Sequence, residues 1–235
     1  MSEELMTTIS FEPADLLRAK LRRVIDAKED AIEALASCLT GTYTAAPGEE
    51  LVSRDQPYRG TYIILSGWAS RSRDVYNGER QIINFLLAGD TVGYAANFFQ
   101  VADHDVRAIT PLNYAQLNSA ALWEIATIHP KLFGAFIWGI AQEEATMRDQ
   151  IVGLGRLRAT DRIRLLLADL VMRQTIAGVP YPKSHELPLN QQLVADSAGI
   201  SVTHANRCIG ELSRAGFVSI GHNRLRVLQE VTGPT

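Results

Sequence analysis

The side chains best suited to recognition chemistry crowd together at Ser201–Arg207, in the stretch GISVTHANRCIGEL (residues 199–212). Thr203, His204, Asn206 and Arg207 bring a hydroxyl, an imidazole, an amide and a guanidinium, groups that bond phosphate oxygens or base edges. Their spacing sorts the segment into two faces. Ala205, Ile209 and Leu212 recur at i, i+4 and i+7 and make the apolar stripe of a helix, while Thr203, Asn206 and Arg207 fall on another face. Ser201 suits the N-cap of that helix. The free N–H groups of its first turn can meet phosphate, and its outward side chains can reach the floor of the major groove. An ordinary solvated face of a helical hairpin would show the same alternation, so the flanking segments decide.

Upstream, LNQQLVADSA predicts a second short helix, with Asn190 as N-cap and Leu193 and Val194 pointing inward. Ala198-Gly199-Ile200 predicts a tight turn in which Gly199 takes a positive φ. Two short helices joined by such a turn match a helix-turn-helix. Downstream, GFVSIGHNRLRVL reads as strand, Gly-His-Asn turn and strand, the wing of a winged helix.

Other elements must carry this unit. Residues 12–40 read as helix, ended by Gly41. Residues 41–118 change to short β-rich runs separated by glycines: TYIIL, WASRSRDVY, QIINFLL, VRAIT and YAQL. Within them YNGE predicts a two-residue type I′ hairpin turn. Strands at this spacing suggest a sandwich or roll. A short helix is expected at 120–126, and a long one over 130–157, about 42 Å at 1.5 Å per residue. Phe133, Ile137, Ile140, Glu144, Met147, Ile151 and Leu154 alternate steps of four and three along the long helix, a heptad seam with one polar member, Glu144. The seam points to self-association, with core packing against the chain's own roll as the alternative. A further helix follows, with Thr160 as its expected N-cap.

The fold class expected is therefore α+β. Residues 1–129 form N-terminal helices and a sandwich or barrel-like roll, 130–157 a dimerisation helix, and 158–235 a winged helix-turn-helix. Charge divides along the same line: residues 1–158 carry a net −5 and residues 159–235 a net +2. The two cysteines, Cys38 and Cys208, belong to no CxxC pair, which argues against a zinc or iron–sulfur site built on cysteine. MSEELMTTIS lacks the apolar run of a signal peptide. No apolar stretch approaches the roughly 18 residues that span a bilayer. A cytoplasmic location with no membrane partner is expected.

The chain resembles bacterial transcription regulators of the CRP/FNR (cyclic-AMP receptor/fumarate-nitrate regulator) superfamily. The resemblance covers nearly the whole chain: YIILSGWASRS and INFLLAGDTVGY in the roll, the long helix after HP, and the winged helix-turn-helix. It is closest to the group whose recognition helix reads T/S-x-x-H-x-N-R, here Ser201, His204, Asn206 and Arg207. It implies a homodimer that reads a palindromic site on double-stranded DNA, with an N-terminal double-stranded β-roll, like a cyclic-nucleotide-binding domain, that senses a signal; RNA polymerase stands as a further candidate partner. Base contacts in that family come from the first, second and sixth residues of the helix, here Val202, Thr203 and Arg207. An Arg at the sixth suits guanine O6 and N7. His204 and Asn206 are then phosphate contacts, with packing as the alternative for His204.

The resemblance also bears on what the roll senses. Cyclic-AMP binders of the family carry an acid for the ribose, an Arg-Ser pair for the phosphate and a Thr-Ser pair for adenine. Here Gly93-Tyr94, Ala102-Asp103 and Met147-Arg148 stand at those places, so usual cyclic-AMP binding is not expected. Heme remains an alternative, with His104 and one of Cys38, His129 or Met147 as ligands. The cofactor is unassigned. Tyr94, His104, Arg107, Met147 and Arg148 are the candidate effector-pocket residues. No metal site and no catalytic residue are predicted: a cupin-like metalloenzyme would need clustered His and Glu, and residues 41–118 hold a single histidine, His104.

Overall fold

The structure, a computed structural model, describes residues 28–76, 78–94, 99–179, 183–221 and 224–229. Helix α1 (Glu29–Ser37) leads into the roll strands β1 (Leu39–Ala45), β2 (Glu50–Val52), β3 (Thr61–Ser66), β4 (Ala69–Asp74), β5 (Arg80–Leu86), β6 (Thr91–Val92), β7 (Asp105–Ala108) and β8 (Leu112–Leu117). Helices α2 (Ser119–Ile128), α3 (Pro130–Arg156) and α4 (Ala159–Ile176) follow. The chain then forms β9 (Glu186–Leu187), α5 (Gln191–Ala198), α6 (Val202–Arg214), β10 (Val218–Gly221) and β11 (Arg224–Val227). No described helix is long and apolar enough to cross a membrane.

Two four-stranded antiparallel sheets make the roll, in the orders β1-β8-β3-β6 and β2-β7-β4-β5. Strand β3 explains how they are covered. All six of its residues are buried, and successive side chains of a strand point to opposite faces. Tyr62 and Ile64 join Ala69, Leu86 and Val106 between the sheets. Ile63 and Leu65 turn outward to meet Ile32 and Leu35 of α1 and Leu132 of α3. Gly67 makes the sharp β3–β4 turn at φ 88°, where a Cβ would run into the Pro111 carbonyl oxygen.

The second sheet buries its outer face against the C-terminal part of the chain. Trp68, Ile82, Phe85 and Leu87 share one core with Ile163, Leu167, Leu170, Leu187, Val194, Ile209 and Leu225. Polar clamps close the seam between them. Arg80 of β5 grips Asp196 of α5 through Nε (2.9 Å) and a terminal nitrogen (2.6 Å). Arg173 of α4 donates to the Phe85 carbonyl (2.8 Å) and to Asp90 (2.6 Å).

Several expected boundaries shift. The described part of the first helix ends at Ser37, not Gly41, and residues 12–27 lie outside the described residues. Thr40, Thr42, Tyr43 and Thr44 are strand formers, and pairing with β8 draws that stretch into β1 with Gly41 at a bulge. The β4–β5 turn is closed by Val75 N–H to the Glu79 carbonyl (2.8 Å), which makes a three-residue loop instead of the expected two-residue one. Gly78 ends that loop at φ 81°, the left-handed position such loops require; Asn77 lies outside the described residues. The N-cap of α4 is Arg158, not Thr160, whose hydroxyl instead donates to Glu211 (2.8 Å). Strands β2, β6 and β9 are too short to show a period of two and were not expected.

Candidate nucleic-acid interface

The two short helices form as their spacing requires. The Asn190 side chain accepts from Leu193 N–H (2.9 Å) at the start of α5. Gly199 ends α5 with φ 64° and ψ 44°, left-handed and low in cost only for glycine. Ser201 then caps α6, its hydroxyl accepting from His204 N–H (3.3 Å). On α6, Ala205, Cys208, Ile209 and Leu212 are buried, while Thr203, His204, Asn206 and Arg207 are exposed. Arg207 stands one helical turn beyond Thr203 on that outward face. Val202 is half-buried against the core, so the first of the three expected base-facing positions is turned largely inward.

Behind α6 the wing forms as β10 paired with β11 from Val218↔Val227 to Gly221↔Arg224; residues 222 and 223 of the expected turn lie outside the described residues. A third strand, β9, pairs Glu186 with Arg226 and Leu187 with Leu225. The Glu186 carboxylate also bonds the Arg226 guanidinium, and Arg224 lies 3.9 Å away. A groove of about 410 Å³ runs between the α5 N terminus, α6 and the wing, lined by Gln191, Gln192, Val202, Ile220 and Arg224 among others. Arg224 is thus a wing cation lining the same groove as Val202 of α6, and spacing alone did not single it out. Its signal in the sequence was the RLR run of the wing.

Helix α3 shows the reverse polarity. Phe133, Ile137, Ile140, Met147, Ile151 and Leu154 are all exposed, Ile151 to 69%. Trp138 and Val152, outside the heptad pattern, are exposed too. Glu144, the polar member of the seam, pairs with Arg148 one turn on (2.5 Å). A contiguous exposed apolar helix face of this length is the kind of patch that marks an interaction surface.

The candidate effector residues do not converge. Arg107 of the inner strand β7 is paired with Glu50 on the edge strand β2. Met147 and Arg148 are on the exposed side of α3. Only Tyr94 and His104 turn inward, and they meet residues that spacing did not single out. Arg71 of β4 is 7% exposed, and its guanidinium pairs with Glu143 of α3. Tyr94 donates its hydroxyl to the other oxygen of Glu143 (2.6 Å). His104 Nδ1 bonds the Asp103 carboxylate (2.7 Å), and its ring meets that of Tyr58 edge-on at 6.3 Å. Burial pushes the Arg71 guanidinium down in pKa. Burial, helped by the charge of Arg71, also pushes the His104 imidazole down, against the pull of Asp103. Arg71 lies in the alternating SRSRD run, where a strand period of two could have marked it as inward-facing.

Cys38 and Cys208 are free and buried. Among the described residues no three His, Cys, Asp or Glu side chains are grouped to hold a metal ion.

Comparison with known proteins adds to this geometry. Residues 44–129, the roll and α2, match the family model described as "Cyclic nucleotide-binding domain". Over 214 residues the chain is 24% identical to the nitrogen fixation regulation protein FixK of Azorhizobium caulinodans, covering 90% of this chain and 85% of that one. It is 25% identical over 164 residues to the transcriptional activator protein FnrL of Cereibacter sphaeroides, covering 68% and 65%. Among solved structures, FixK2 from Bradyrhizobium japonicum superposes with a TM-score of 0.69 at 20% identity, over 81% of this chain and 93% of that one. The c-di-GMP responsive regulator CLP of Xanthomonas campestris gives 0.68 at 18% identity, over 86% and 100%.

Proposed function

The chain belongs to the CRP/FNR family of DNA-binding transcription regulators, and from that premise we propose how its own residues do the work: as a homodimer it reads a palindromic site in the cytoplasm, one α6 in each of two successive major grooves. The observation that carries this reading is the outward face of α6. Four hydrogen-bonding side chains stand exposed on a capped helix whose opposite face is locked into an apolar core. Arg207 is the base-reading residue, bidentate on a guanine. Thr203 offers a hydroxyl beside it. His204, Asn206 and the wing residue Arg224 hold phosphates and set the register.

The exposed seam of α3 supplies the second copy. Phe133, Ile137, Ile140, Met147, Ile151 and Leu154 pack against their symmetry mates, with Glu144 at the middle. Pairing on that seam fixes the spacing of the two α6 helices, and hence of the half-sites. The roll, residues 44–129, is the effector domain, but one that does not take cyclic AMP in the usual way. The hydroxyl of Tyr94 is engaged with Glu143, and Asp103 brings negative charge to the phosphate side. Residues 1–129, 130–157 and 158–235 are sensor, dimerisation helix and reading head, and RNA polymerase is the partner the bound dimer meets next.

The test is a titration of wild type and Arg207→Ala against the cognate operator, its single-base variants and random DNA at one salt concentration. Arg207→Ala is expected to cost roughly 1–3 kcal/mol per half-site and to relax preference at one base pair. His204→Ala and Asn206→Ala are expected to weaken all sequences alike. Equal loss by Arg207→Ala on every sequence would make Arg207 a phosphate anchor and remove its base-reading role.

A further inference from the structure

The roll has more buried polar capacity than its own chain uses. Ala69 of β4 faces the space between the sheets, and Arg71, two residues on, points the same way. A guanidinium there is out of water and must be met by an anion. Glu143 reaches in from α3 and meets it. The carboxylate has one oxygen on Arg71 and the other on the Tyr94 hydroxyl, the way a guanidinium and a phenol together receive any carboxylate. Yet Arg71 Nε, Tyr58 hydroxyl and His104 Nε2 are buried beside this pair with no hydrogen-bond partner in the protein. Buried orphans are rare in native proteins, and three in one neighbourhood call for an explanation. With Nδ1–H donated to Asp103, His104 Nε2 is an acceptor; Arg71 Nε–H and the Tyr58 hydroxyl are donors.

We propose that the roll interior is a carboxylate-binding site centred on Arg71, occupied in this structure by the chain's own Glu143, and that a small carboxylate bearing a further polar group enters it by displacing Glu143. The inference rests on the reading of the roll as effector domain and names its ligand class. A single negative charge fits better than a phosphate dianion, because Asp90 and Asp103 already act on Arg71. Displacement has a route to DNA. Glu143 neighbours Glu144, the middle of the exposed seam, so its release frees α3 from the roll where the two protomers would meet. Across the β4–β5 ladder, Asn84 is the partner of Arg71 and accepts from Arg173 of α4 (3.1 Å). A shift of Arg71 is thereby felt in the reading head.

The test uses the full chain with sodium acetate as probe, acetamide as its neutral isostere and sodium chloride at matched ionic strength. Glu143→Ala vacates the site. Acetate is expected to raise its melting temperature saturably, by about 3–5 °C at ten times the half-saturating concentration, and acetamide or chloride is not. Saturation-transfer NMR on the wild type is expected to show acetate contact, abolished in the double variant Arg71→Met/Glu143→Leu, which removes both charges together. A Glu143→Ala protein that responds to acetate no more than to acetamide would overturn the proposal. So would acetate contact that survives in the double variant. Should Glu143→Ala fail to fold, the NMR pair decides by itself. Operator binding by the wild type is scored separately: its loss would sink the regulatory reading and leave the carboxylate site standing, and the converse holds.

Discussion

In the reading head, Ile163, Leu167, Leu170, Leu187, Leu189, Val194 and Ile209 are almost wholly buried, and the hydrogen-bonding side chains of α6 stand in water. The two polar residues buried there are satisfied, Gln174 by the Glu186 carbonyl (3.4 Å) and Asp196 by Arg80 and Gln192 (2.6 Å each), and among the described residues of the head Arg162 Nε alone is buried without a partner. The roll is built the other way round. Arg71 and His104 are buried in it, and Arg71 Nε, His104 Nε2 and the neighbouring Tyr58 hydroxyl have no hydrogen-bond partner in the protein. A dry core behind an exposed polar face suits a partner that arrives from outside. A polar interior suits something that comes in, or something of the chain's own that takes its place.

That contrast makes different demands on mutations in the two regions, and α3 joins them. The largest effect is expected from the seam. Ile140→Lys with Ile151→Lys touches residues already exposed in the protomer, so folding should be little changed. Operator binding should fall by 100-fold or more, on the order of the 10²–10⁴ that linking two binding modules provides. Sedimentation that still finds a dimer would remove the seam from the account.

Next in size is the roll interior. Arg71→Leu leaves the buried Glu143 charge without a cation, met only by the Tyr94 hydroxyl, and is expected to cost about 3–5 kcal/mol in urea unfolding, whereas Arg71→Leu with Glu143→Leu should be nearly neutral. The head offers no match for this: Arg207→Ala should leave unfolding unchanged while it weakens operator binding. If the single and double roll variants were equally unstable, the pair would be ordinary packing and the contrast would weaken.

A smaller effect tests the join. Arg80→Leu breaks the clamp on Asp196, whose side chain is 8% exposed against 25% for Arg80. Partial exposure discounts the loss, to about 2 kcal/mol. Asp196 keeps Gln192, so the head should stay folded and only its hold on β5 should loosen, seen as faster amide exchange at Ser197–Gly199. The smallest effect is in pH. Burial holds the folded-state pKa of His104 below its ordinary value, so the unfolded chain takes up the proton first. Stability is therefore full above about pH 6.5 and falls as pH drops below it. His104→Gln should flatten that slope in unfolding curves taken between pH 7 and 5.

The two regions also differed in how far they could be read in advance. The head was legible because local rules govern it: Asn190 and Ser201 cap, Gly199 turns, and the 3.6-residue period separates Ala205, Ile209 and Leu212 from Thr203, Asn206 and Arg207. The seam of α3 was legible for the same reason. The roll was not, beyond its strands. Its candidate pocket residues were chosen by position, and only Tyr94 and His104 turned inward. Arg107 went to Glu50 at the sheet edge, and Arg148 to Glu144 on the exposed side of α3. The omissions were Arg71, Glu143 and Tyr58, drawn from a strand, a helix and a loop that nothing in their spacing connects.

What the sequence determined by itself was periodicity and punctuation: where helices start, where glycine must turn the chain, which helix face is apolar, and that the C-terminal part is the basic one. Each of these depends on neighbours within a turn or two, so a linear string contains it. Only tertiary structure decided that β5 would clamp α5, that Val202 would lean on the core, and that Arg71 would find Glu143 more than seventy residues away across the roll. Those outcomes depend on which sheet face packs on which helix. Burial is what raises the cost of leaving a charge alone, and burial is a property of the packed layers.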